Sequence, residues 1–173
     1  VDAVCDLILH QFDNAREFLP ALEWAVCEII DNIVIHSETT TPGVVCAQYY
    51  PKRHRLDVAI CDMGRGIKAG LETAMPLFSH GHAVTEALKR GVTRDPEVGQ
   101  GNGLAGSLEI AQTNQGTFGL WTGDALYASN GGREGSFTVM EHEFPGTGVS
   151  LRLDTRRSVD LSETFIGASS WTY

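Results

Sequence analysis

The chain has no run of about 18 apolar residues, the length a helix needs to cross a bilayer, so no membrane segment is expected. Cysteine is scarce and scattered: Cys5, Cys27, Cys46 and Cys61 form no CxxC pair, and no histidine cluster stands at metal-ligand spacing. Those gaps argue against a zinc site or a disulfide framework and fit a reducing, cytoplasmic setting. Basic residues are in the minority, 13 Lys and Arg against 22 Asp and Glu, for a formal net charge of −9. No Lys/Arg run is available to neutralise a phosphate backbone, which argues against broad nucleic-acid contact. A phosphorylated ligand would have to be held by local devices.

A basic segment followed by an apolar stretch is also missing from the start, and Val1 stands where an initiator Met would, so the sequence reads as a piece of a longer polypeptide. The 173 residues, 42% hydrophobic, suffice for one substantial core and leave little for a second. One domain is expected.

From Ala21 to His36 the apolar residues Leu22, Ala25, Val26, Ile29, Ile30 and Ile33 recur at three- and four-residue steps, the period of an amphipathic helix. An earlier helix is expected from about Asp2 to Phe18, ending near Pro20. Two strands follow, Val44 to Tyr50 and Leu56 to Cys61; joined by the polar turn Pro51 to His54, they read as a hairpin. After Ile67 the pattern loosens, with one short helical piece near Ala83 to Arg90, before "GQGNGL" opens a helix toward Ala111. Three strands are expected later, around Thr117 to Thr122, Ser136 to Met140 and Val149 to Asp154, with turn-rich "SNGGREGS" between the first two. Together these elements predict an α+β two-layer sandwich, with helices covering one face of a sheet.

Four short stretches carry chemistry. In "EIIDNIVIHS", Glu28, Asn32 and His36 stand four apart and share one helical ridge, with Asp31 beside it. The Asn32 carbonyl oxygen suits a hard cation such as Mg²⁺, and the Glu28 carboxylate one turn away can take a proton from a water. "ICDMGRGI" ends a strand on Asp62 and follows it with Gly64 and Gly66, which free the backbone to turn sharply beside a flat ligand. A fixed carboxylate there would accept a hydrogen bond from an adenine amino group and repel the oxygen of guanine.

"GQGNGLAG" satisfies GxGxxG, but no strand runs directly into it, which excludes a dinucleotide-binding βαβ unit. What is left is a glycine-rich turn at a helix N-terminus, a place suited to phosphate. Lys89, Arg90 and Arg94 lie just before it and could fold over a triphosphate. "PGTGVSLRL" places Thr147 between glycines ahead of the last strand, its hydroxyl within reach of a base-side carboxylate or water. The "FSHG" around His80 is set aside as a phosphoacceptor, because it sits inside the loose interval and not on a preceding dimerisation helix.

Taken in order, ExxxN on a helix, DxGxG after a strand, GxGxGL before a helix and a GT turn before a late strand resemble the motifs of the GHKL, or Bergerat-fold, ATPases. That family includes gyrase, MutL, sensor histidine kinases and bacterial anti-sigma-factor kinases. The resemblance covers Leu19 to Asp154. It implies a mixed sheet covered on one face by helices, ATP held between the layers, a mobile lid over about 68–98, a domain spanning 1–157, and a tail of 158–173 continuing into a region not present.

Carried over residue by residue, the resemblance implies Glu28 as the water-activating base, Asn32 as the Mg²⁺ ligand, and Asp62 as the adenine reader flanked by Gly64 and Gly66. It also implies Gly99, Gly101, Asn102, Gly103 and Leu104 at the phosphate turn and Thr147 supporting the adenine end. "DNIVIHS", with His four after the Asn, is closest in style to the anti-sigma-factor kinases; histidine kinases carry Lys where Ile35 stands. The implied function is Mg²⁺-dependent ATP binding and hydrolysis as a regulatory switch. An anti-sigma-type serine/threonine kinase, a histidine-kinase catalytic domain and a non-catalytic nucleotide sensor are the alternatives. A protein partner or further domains of the same chain are implied as well, and a homodimer is admitted.

Overall fold

The computed structural model describes residues 18–93 and 101–164. Helix α1 (Leu19–His36) is followed by strand β1 (Val44–Tyr50), a 3₁₀ turn at Pro51–Arg53, strand β2 (Arg55–Cys61) and helices α2 (Gly66–Leu71) and α3 (His80–Ala87). Helix α4 (Gly103–Thr113), the long strands β3 (Thr117–Asn130) and β4 (Ser136–Asp154) and the short helix α5 (Leu161–Thr164) complete the order. The helix expected over Asp2 to Phe18 lies outside the described residues except for Phe18, which is buried in the core. No helix among the described residues is long and apolar enough to cross a membrane.

Pro20 does not punctuate a preceding element; it occupies the first turn of α1, where its missing N–H costs nothing. The face predicted by periodicity is the buried one, with Ala21, Leu22, Ala25, Val26 and Ile29 all at or below 2% exposure. The hairpin forms as expected, Val44 opposite Cys61 and Tyr50 opposite Arg55. Strict alternation sends Leu56, Val58 and Ile60 of β2 into the core.

The sheet runs β1-β2-β4-β3. All its pairings among the described residues are antiparallel, whereas a mixed sheet would include a parallel pair. The reason is local: two of the three pairings are hairpins, and a short turn can only return a strand antiparallel. Helices α1 and α4 pack on each other and over one sheet face. Phe18, Leu22, Val26 and Ile110 meet Leu120, Leu151 and Leu153 in one cluster, each large side chain contributing about 1.5–3 kcal/mol by leaving water.

Two strands replace the three expected after α4. The first continues past Thr122 to Asn130, and the other two form a single strand, so "PGTG" is not an entry turn. Pro145 and Gly146 are the residues left over where Thr122 pairs Thr147 but Gly123 pairs Phe144, an irregularity that bends the ladder. Proline is tolerated there because β2 pairs β4 only from Gly148 onward, and no ladder donor is missed.

The interval read as loose is better ordered than its sequence suggests. Ser79 caps α3 by accepting the His82 N–H at 3.1 Å, which starts this helix three residues before Ala83. Leu71, Leu77, Ala83 and Ala87 form a second small core between α2 and α3. Val98, the end expected for the lid, lies outside the described residues.

Candidate functional site

A cavity of about 350 Å³ opens between the α1–α4 layer and the end of the sheet. Glu28, Asp31, Asn32 and His36 line it from α1, Asp62 and Gly66 from the loop after β2, and Gly101, Asn102, Gly103 and Leu104 from the start of α4. Thr147 contributes from β4, and Ile33, Ile60, Ile67 and Val149 supply apolar wall. Three of the expected site positions stand differently. Gly64 sits behind the wall against Ser37, and Gly99 and Arg94 fall outside the described residues.

Asp62 is only 4% exposed. Its own N–H donates to the Thr147 carbonyl at 2.9 Å, and its Oδ1 accepts the Gly64 N–H at 2.6 Å, so the loop folds back onto its carboxylate. Burial holds this carboxyl above its ordinary value, partly offset by the Gly64 and Thr147 backbone donors. A carboxylate has about four acceptor positions, so capacity is left for a ligand donor. Gly66 is required by its backbone: at φ +72° any side chain is strained, and a Cβ would also meet the Thr122 hydroxyl at 2.7 Å. That hydroxyl accepts the Ile67 N–H at 3.1 Å and anchors the start of α2 to the sheet.

The opposite wall is built from backbone. Asn102 precedes α4 without a side-chain cap, so the first N–H groups of the helix have no partner within it. The Asn102 side chain instead accepts the Gly91 N–H at 3.1 Å, and the same N–H reaches the Gly101 carbonyl, closing the base of the intervening segment. An ideal Cβ on Gly103 would lie 2.8 Å from Glu28 Oε2 and 3.1 Å from the Asn32 side-chain nitrogen. The α4 N-terminus therefore rests directly on the ridge that carries both residues. Burial raises the Glu28 carboxyl above its usual value, and the neighbouring Asp31 charge raises it further.

Charge is distributed unevenly around this cavity. Its acidic lining residues are Glu28, Asp31 and Asp62, and no Lys or Arg is among the described lining residues. Lys89 pairs with Glu86 at 2.6 Å, Arg90 grips Glu109 through its Nε and Nη2, and neither is among the described lining residues of the cavity. His80 is also elsewhere, held by Asp124 at 3.0 Å beside a separate depression of about 160 Å³.

Ser37 and Thr122 are the site residues that sequence reasoning missed. Ser37 closes α1, and its carbonyl accepts the Arg65 N–H at 3.0 Å, while Arg65 also pairs with Glu38 at 2.6 Å. Its only sequence signal is its place at the end of the ExxxN helix, one residue beyond His36.

No protein-family profile matches the chain, and no curated protein does. Among solved structures it is similar to the ATPase and transducer domains of DNA topoisomerase II from Balamuthia mandrillaris. That match has 16% identity and a TM-score of 0.46, and covers 79% of this chain and 38% of the other. It is also similar to the ATPase region of Saccharomyces cerevisiae topoisomerase II, with 12% identity, a TM-score of 0.45, and coverage of 82% and 40%. The chain thus spans about two fifths of the length of these structures. At such identities and TM-scores below 0.5, no activity, ligand or partner transfers from them to this chain.

Proposed function

We propose that this chain is an ATP-binding domain of the GHKL type that hydrolyses ATP with Mg²⁺. The observation that carries the reading is convergence: four motifs from separate stretches of sequence line or support one cavity, on opposing walls. The cavity volume falls in the range of small-ligand sites, roughly 300–1,000 Å³. At one end stands a buried carboxylate beside apolar wall, suited to a base with an exocyclic amine. At the other, the N–H groups of a helix start that carries no side-chain cap from Asn102 suit phosphate oxygens.

The residues present also fit a magnesium ion. Asn32 offers one neutral oxygen donor, Glu28 and Asp31 stand beside it, and Mg²⁺ is commonly held by few protein groups with phosphates and water completing its shell. Bound there, it would supply positive charge to the phosphate chain, which the described lining of this cavity lacks. Asn32 would orient it, Glu28 would accept the proton of an attacking water at its carboxylate, and the α4 N–H groups would receive developing phosphate charge. The raised carboxyl of Glu28 suits that work, because a stronger base accepts the proton more readily.

Calorimetry with ATP and with GTP, each with Mg²⁺ and with EDTA, tests the binding claim; phosphate release from Mg²⁺ and ATP tests hydrolysis. ATP bound in preference to GTP, with slow phosphate release, is the expected result. No heat with any adenine nucleotide would end the proposal. Binding and release that depend on neighbouring protein, with label from γ-phosphate appearing on it, would move the reading to a kinase.

A further inference from the structure

Asp62, Thr147 and Ser37 are polar residues of the cavity lining, Thr147 joined to Asp62 by a backbone hydrogen bond and Ser37 to Arg65 of the same loop. Ser37 is 9% exposed, and among the described residues its hydroxyl has no hydrogen-bond partner, although its backbone is engaged on both sides. The hydroxyl oxygen is not wholly occluded either, and Ser37 is one of the residues that line the cavity. Its position is set by rigid neighbours. The Ser37 N–H donates to Ile33 in the last turn of α1, and its carbonyl takes the Arg65 N–H.

Gly64 shows how close Ser37 comes to Asp62. An ideal Cβ on Gly64 would lie 2.6 Å from Ser37 Cβ and 2.8 Å from Asp62 Oδ1, so the two side chains crowd the same point. A partially buried hydroxyl without a partner carries an unmet cost unless water or a ligand completes it. Adenine offers the matching groups, since the amine read by a carboxylate is flanked on both sides by ring nitrogens that only accept.

We infer that Ser37 is a second base-reading residue: its hydroxyl donates to a ring nitrogen of adenine adjacent to the amine that Asp62 accepts. The inference rests on the ATP reading above. Asp62 then rejects guanine by sign, and Ser37 adds a hydrogen bond where an acceptor stands beside the amine. The two residues come from opposite layers, α1 and the β2 loop, and both are held by backbone hydrogen bonds. The base is thereby read by a preorganised pair, with little ordering left to occur on binding.

Calorimetric titration of the wild type and Ser37→Ala with ATP, 7-deaza-ATP, 1-deaza-ATP and GTP tests this. The wild type is expected to bind one deaza analogue up to about tenfold more weakly than ATP, the range of one hydrogen bond. Ser37→Ala should bind ATP and that analogue equally, while still preferring ATP over GTP through Asp62. Its melting temperature should match the wild type, because the hydroxyl removed has no partner among the described residues. A wild type indifferent to both ring nitrogens, or a Ser37→Ala protein that keeps the wild-type preference, overturns the inference with the ATP reading intact. Failure of the wild type to bind ATP overturns both.

Discussion

The two walls of the cavity solve the same problem by opposite means. The Asp62 wall presents a charged side chain, fixed by a 2.6 Å bond from Gly64 and tied to β4 through Thr147. The Gly103 wall presents backbone, and works because a side chain is missing: Glu28 and Asn32 occupy the space a Cβ would need. A side-chain wall discriminates, since donor and acceptor patterns differ between ligands. A backbone wall accommodates, since N–H groups at a helix start attract any suitable anion. Substitutions on one wall should therefore alter selectivity, and on the other should alter geometry and rate.

The largest effect is expected where the walls meet chemistry. Glu28→Gln keeps shape and removes the proton acceptor, so phosphate release should fall by about 10²–10⁴ with ATP affinity nearly unchanged, measured by a coupled phosphate assay and calorimetry. Equal turnover in the variant would remove Glu28 from its assigned role.

Next, Asp62→Asn replaces an acceptor that can be charged with an amide able to turn its donor side inward. ATP affinity should drop by about 10- to 100-fold, the scale of a hydrogen bond to a charged group, and the preference over GTP should shrink with it. Gly103→Ala should do the reverse: the new Cβ displaces Glu28, slowing turnover by about tenfold or more, while the ATP-to-GTP preference stays as in the wild type. If Gly103→Ala changed selectivity and left turnover alone, the contrast between the walls would collapse.

The smallest effect concerns pH. Burial raises the Glu28 carboxyl above 4.5 and the Asp62 carboxyl above 3.8, so each folded form binds protons more tightly than the unfolded chain does. Stability from these two groups is therefore greatest in acid and declines as pH rises through the raised values. Thermal unfolding without nucleotide should show Glu28→Gln gaining stability relative to the wild type between pH 4 and pH 7. A constant difference across that interval would contradict the desolvated setting of Glu28.

Much of this was legible before any coordinates. The α1 face and the β1–β2 hairpin follow from apolar periods of 3.6 and 2, which are local properties. Motif residues on α1, after β2, before α4 and near Thr147 were readable because their spacing needs no neighbours. Other features were not. The strand through Pro145 looked like two, because the missing ladder partner that makes proline harmless there belongs to β2, remote in sequence. The order within 68–93 was hidden for a similar reason, its small core being shared by two short helices with weak individual patterns. The acidic partners of Lys89 and Arg90 were hidden as well, Glu109 lying on α4, 19 residues beyond Arg90.

By itself, the sequence determined the helix that carries Glu28 and Asn32, the strand that ends on Asp62, and the glycines that let two turns come close. Each depends on residues within a few positions of one another. Only the tertiary structure decided that these stretches face one cavity, that Gly103 seats α4 on Glu28, and that Ser37 stands beside Asp62. Those are distances between residues far apart in the chain, set by how α1 and α4 pack over the sheet, and no local pattern encodes them.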